Sequence, residues 1–121
     1  MQKQFTRFMI DVDKFNKEEG KVIFDISAGK QMSNENADQT YVFTSLKLDY
    51  QQYGELLEVL VLFEKDQDMI GKTGTIEIFE DDVLSIVTED INVQLFFENK
   101  KEISDFHDFL LTNPIMFAGK N

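Results

Sequence analysis

Between Gly74 and Leu111 the chain sets three short apolar runs between acidic breaks and then changes period. The runs Thr75–Phe79, Val83–Thr88 and Ile91–Phe97 are strand-length and rich in β-branched and aromatic residues. Their connectors, Glu80-Asp81-Asp82 and Glu89-Asp90, are short enough for hairpin loops. Ile103, Phe106, Phe109 and Leu110 then recur at helical spacing, and Pro114, the only proline, is placed to stop that helix. The pattern predicts an antiparallel meander closed by an amphipathic helix. Ile91, Val93, Leu95 and Phe97 share one face of it. Phe79 and Phe96 fall on the other face, so both faces carry apolar side chains. Burial in the core is the expectation for both, and for Tyr41 and Phe43 upstream.

The first half reads in a similar way. Phe8, Ile10 and Val12 alternate with Asp11 and Asp13, and Val22, Phe24 and Ile26 alternate with Lys21, Asp25 and Ser27, a period of two from which Ile23 departs. Gly20 suits the loop between these strands. Residues Gly29–Gln39, GKQMSNENADQ, are polar and turn-rich and are expected to form a flexible surface loop. Tyr41–Leu48 reads as a third strand. Asp49 with Gln52 three residues on has the form of a capping box, ahead of Tyr53, Leu56, Leu57, Leu60 and Val61 at helical spacing. The predicted order is therefore βββα followed by βββα. It makes residues 1–121 one α+β domain, mostly antiparallel and with room to curl into a partial barrel.

Composition narrows the chemistry. The chain has 121 residues and no Cys, which removes disulfides, thiolate metal sites and a Cys nucleophile together. No apolar run approaches the length of a membrane span, and MQKQFTRFMID lacks the apolar stretch and cleavage site of a signal peptide, so a cytoplasmic location is expected. The net charge is −11. Residues 61–121 hold five basic and thirteen acidic residues, and residues 1–60 hold seven and ten, so the acidity is concentrated in the second half. Such a charge repels phosphate at long range.

Several local patterns suggest chemistry and fall short of it. Gly71-Lys72-Thr73 matches the tail of a phosphate loop. Asp66 occupies the position of the first Gly, and a strand rather than a helix follows, so a plain turn is the better reading. Asp66, Asp68, Gly71 and Glu77 match four positions of a calcium loop, but Ile70 sits where another oxygen ligand is needed. His107, the only His, stands between Asp105 and Asp108 and is expected as a partly exposed helix residue. Asp11, Asp13 and Asp25 offer carboxylates with no spacing that singles out a pair. No nucleophile elbow or glycine-rich dinucleotide fingerprint occurs. No catalytic residue, metal site or cofactor is assigned.

Two binding functions follow from these features. The first is a small non-enzymatic regulator acting on a protein partner, of the inhibitor or immunity type found on mobile elements. Glu80, Asp81, Asp82, Glu89 and Asp90 would form its acidic contact surface. The second is RNA binding. In size and layout of elements the chain resembles the small PrgU-like regulatory proteins of Gram-positive conjugative plasmids, compact mixed domains related to the PUA fold. That resemblance implies an RNA-binding regulator and carries over no residue. Within this sequence the candidate face would be Lys14, Lys17, Lys21 and Lys30 with Tyr41. The single Arg and the net charge of −11 count against it. A contiguous positive patch beside exposed Tyr or Phe would favour RNA; a uniformly negative face with the N-terminal lysines scattered would favour a protein partner.

Overall fold

A computed structural model describes residues 1–12, 20–30, 40–66 and 69–113, with backbone alone at 28–30 and 40–42. Its elements are β1 (Gln2–Gln4), β2 (Met9–Val12), β3 (Lys21–Lys30), β4 (Thr40–Asp49), α1 (Tyr50–Glu64), β5 (Ile76–Phe79), β6 (Val83–Val87), β7 (Asn92–Phe96) and α2 (Lys100–Thr112). They form an α+β domain with two antiparallel sheets, ordered β1-β2-β3-β4 and β5-β6-β7. Neither sheet closes into a barrel. The chain leaves β4 directly into α1, which packs against both β4 and β5.

The expected order lacks one strand. β1 is the polar tripeptide Gln2-Lys3-Gln4, which has no apolar alternation to mark it. It is held by pairing, Gln2 opposite Asp11 and Gln4 opposite Met9. The connection after it buries Phe5 and Phe8, and the Gln4 amide donates to the Phe5 carbonyl at 2.7 Å. The loop expected at 29–39 is also shorter at its start. Gly29 and Lys30 belong to β3, opposite Tyr41 and Thr40, because backbone pairing continues past the last apolar residue. Residues 31–39 and Pro114 lie outside the described residues.

Both helix starts follow from their capping residues. Asp49 accepts from the Gln52 N–H at 2.8 Å, and the Gln52 side chain accepts from the Asp49 N–H at 2.9 Å. This is the reciprocal box expected from the sequence. α1 then buries Tyr53, Leu56, Val59 and Leu60. The fully buried Leu56, Val59 and Leu60 each contribute about 1.5–3 kcal/mol relative to exposure. Asn99 caps α2 by accepting from the Glu102 N–H at 3.0 Å. The Glu102 carboxylate reaches back to the Glu98 N–H at 2.8 Å, the Thr6 N–H at 2.9 Å and the Thr6 hydroxyl at 2.8 Å. One side chain thus ties the β1–β2 connection to the start of α2.

The core is continuous between the sheets. Val22, Phe24, Ile26, Leu46 and Leu48 come from the first sheet and Ile76, Leu84, Ile86, Val93 and Leu95 from the second. At one end Phe5, Phe8, Phe97 and Phe106 form a ring cluster, with centroids 5.0 Å apart for Phe5–Phe8, 5.3 Å for Phe8–Phe97 and 5.8 Å for Phe97–Phe106. It fastens the end of β7 to the first sheet and to α2.

Candidate interaction surface

The β-pairing register decides where the aromatic residues go. Phe79 lies opposite Val83, and Val83 opposite Phe96, so the three form a row across β5-β6-β7. Adjacent positions Ile78, Leu84 and Leu95 point into the core, which puts the row on the outer face. Phe79 is 41 % exposed and Phe96 44 %, whereas Val83 between them is 5 % exposed and lies outside the core cluster. Burial of Phe79 and Phe96 in the core, expected from the sequence, is therefore not found. Phe43, on β4, is 68 % exposed. Its expected burial fails for the same reason: buried Leu46 and Leu48 set the inward positions of β4, and Phe43 falls on the alternate ones. The Tyr41 side chain is not among those described.

Behind the aromatic row the outer face carries Glu77, Ser85 and Gln94, and then Val87 beside Asn92. Acidic turns close it at both ends. Glu80 and Asp81 are exposed in the β5–β6 turn next to Phe79. Asp82 in the same turn is half-buried, has φ 63 and pairs with Lys100 at 3.5 Å. Lys100 also lies over the Phe63 ring at 5.7 Å. Glu89 and Asp90 are exposed in the β6–β7 turn, which Thr88 ties by donating its hydroxyl to the Ile91 carbonyl at 3.0 Å and accepting the Ile91 N–H at 3.1 Å. The five acids thus split between opposite ends of one sheet. They do not converge as a single site, but they bracket one face.

The alternative basic residues are not gathered by the described structure. Lys21 and Lys30 stand at opposite ends of β3, roughly 30 Å apart along the strand. Lys14 and Lys17 lie outside the described residues, as do Asp13 and Asp68. Asp11 and Asp25 are direct cross-strand neighbours. Asp11 is engaged by the Met1 amine at 3.1 Å and Asp25 accepts the Ser45 hydroxyl at 2.7 Å. Among the described residues no three His, Asp or Glu side chains gather as a metal site.

Two polar residues have roles that local pattern does not reveal. His107 is buried rather than partly exposed, because α2 packs on α1, and its Nδ1 lies 3.5 Å from the Glu64 carboxylate. Glu55 is buried on α1 and faces the 71–75 turn. Its carboxylate accepts from the Thr73 N–H at 3.2 Å, the Thr73 hydroxyl at 2.8 Å and the Thr75 hydroxyl at 3.3 Å. A Cβ at Gly71 would overlap that carboxylate. The Gly-Lys-Thr turn does hold an anion, then, but it is the protein's own. A cleft of about 420 Å³ beside it is lined by Asp49, Glu55 and Glu89 among others. The carboxylates of Asp49 and Glu55 are already used within the fold.

Among the described residues no helix is long and apolar enough to cross a membrane. No protein-family model matches the chain, and neither the curated proteins nor the solved structures give a match.

Proposed function

We propose that this protein is a non-enzymatic binding or regulatory protein that acts on a protein partner, in the manner of an inhibitor or immunity protein. The observation that carries this reading is the apolar Phe79–Val83–Phe96 row, whose exposed Phe79 and Phe96 lie at the Glu80–Asp81 end of the outer face, with Glu89 and Asp90 at the far end of the same face. Apolar area flanked by like charge suits a partner surface that is apolar at its centre and basic at its rim. Carboxylates beside the exposed phenyl groups disfavour base stacking, since a nucleic acid would bring its phosphates against them. A net charge of −11 would steer a basic partner and make association fast and salt-sensitive. A cytoplasmic setting is consistent with the absence of cysteine.

The test is affinity capture of the tagged chain at low and high salt, with a charge-reversed variant, Glu80→Lys with Asp81→Lys, run in parallel. The reading expects a stoichiometric protein that is lost at high salt and from the variant. Salt-dependent retention of a mixed RNA pool, with no stoichiometric protein, would overturn it.

A further inference from the structure

The open edge of β7 carries a more specific inference, which rests on the protein-partner reading and names how the partner is held. The Thr88 N–H bonds to the Ile91 carbonyl at 2.9 Å and the Phe97 N–H to the Asp82 carbonyl at 3.0 Å. Antiparallel ladders alternate, so Ile91, Val93, Leu95 and Phe97 direct their N–H and C=O groups towards β6. Asn92, Gln94 and Phe96 must then direct theirs away from it. No backbone hydrogen bond reaches those groups among the described residues. A cleft of about 340 Å³ runs along this edge, with Phe8 of the β1–β2 connection and Ile26 and Thr44 of the first sheet as its opposite wall.

We propose that an extended segment of a protein partner adds to β7 as a further strand. Main-chain bonds to Asn92, Gln94 and Phe96 would supply affinity, and alternate side chains would supply specificity. Residues of the added strand beside Val93 and Leu95 point into the cleft, over Phe8 and Ile26, and are aliphatic. The residue beside Phe96 extends the Phe79–Val83–Phe96 row and is aromatic or β-branched. Charge selects the flanks. Glu89 and Asp90 are exposed at one end of the strand, and Glu98 at the other already pairs with Arg7, the one cationic residue among the described residues that line the cleft, at 3.3 Å. The segment therefore carries Lys or Arg at the Glu89–Asp90 end.

A second copy of the chain is a poor occupant. Antiparallel pairing of two β7 strands about Gln94 would set Asp90 of each copy opposite Glu98 of the other, and each copy carries a net charge of −11.

The probe is a random peptide library displayed on phage and selected against the whole chain. The expected binders alternate apolar and polar residues and carry a basic flank. Gln94→Pro removes an N–H that the β6–β7 ladder does not use, and proline is tolerated at such edge positions. It should weaken the selected peptides by at least about tenfold, the equivalent of a main-chain hydrogen bond or two. On the unmodified chain a bound peptide should slow hydrogen exchange at the Asn92, Gln94 and Phe96 amides, a readout that does not depend on how the variant folds. Peptides that bind the Gln94→Pro variant equally well, with no protection of those amides, overturn the inference. So does a library that yields no binder. In either case a partner captured through Glu80 and Asp81 would leave the broader reading standing. A concentration-dependent dimer abolished by Gln94→Pro would assign the edge to a second copy and also overturn it.

Discussion

The two edges of the β5-β6-β7 sheet are treated differently. On the β5 side the chain covers its own edge. The Gly71 N–H donates to the Ile76 carbonyl at 2.8 Å and the Ile78 N–H to the Met69 carbonyl at 2.9 Å, with Ile70 bridging to Glu77. That covering segment is in turn braced by Glu55 through Thr73 and Thr75. On the β7 side the corresponding outward groups of Asn92, Gln94 and Phe96 meet a cleft. Exposed edges invite pairing with other chains and are usually blunted. Here one edge is closed by a buried carboxylate and a tailored turn. The other is bordered by carboxylates, which discourage self-pairing and leave it open to a basic segment.

The largest expected effect separates the two edges by how each is anchored. β7 is paired to β6, and the ring cluster at its end packs Phe97 against Phe5, Phe8 and Phe106. Phe97→Ala should therefore lower stability by about 3–5 kcal/mol, read by denaturant unfolding. A loss below about 1 kcal/mol would mean that the rings do not hold the strand.

Next comes the closed edge. Gly71→Ala forces the Glu55 carboxylate from its site and should cost about 2 kcal/mol, while speeding exchange at the Ile78 amide. If stability fell and the Ile78 amide stayed protected, Glu55 would not be the brace of that edge.

The smallest effect concerns the joint shared by both sheets. Burial alone would raise the Glu102 carboxyl, but hydrogen bonds from the Glu98 and Thr6 N–H groups and the Thr6 hydroxyl outweigh it and hold the group below the usual carboxylate range. Its folded pKa is thus depressed. The stability it contributes is fully present above the ordinary glutamate value of about 4.3 and is lost as pH falls through the folded value. Glu102→Gln should cost about 1 kcal/mol at neutral pH and less under acid conditions. A constant difference between the two proteins across that range would show that the charge is not what matters.

Features set by neighbours along the chain were legible in the sequence. The meander, with its turns at Glu80–Asp82 and Glu89–Asp90, and the Asp49–Gln52 capping box depend on local spacing, and both were readable. Features set by contacts distant in the chain were not. β1 exists through pairing with β2 rather than through its own residues. His107 is buried because another helix lies over it. Glu55 reads as one more polar residue flanking an apolar stripe until the 71–75 turn is brought to it. The two-sided apolar character of the meander was visible, but whether more chain covered its outer face was not. Period-two patterning says which side chains share a face and nothing about what lies over that face. Which edge of the meander is covered is likewise invisible in pattern, because it depends on backbone groups that every residue carries.

Amide hydrogen exchange of the unmodified chain, resolved by residue, tests the contrast between the edges most directly. Gln94 and Ile78 occupy the same outward phase on opposite edges of one sheet. The prediction is that the Asn92, Gln94 and Phe96 amides exchange much faster than the Ile78 amide and the inward-bonded Val93 and Leu95 amides. Equal protection across β7, matching Ile78, would contradict it and show the β7 edge to be already paired.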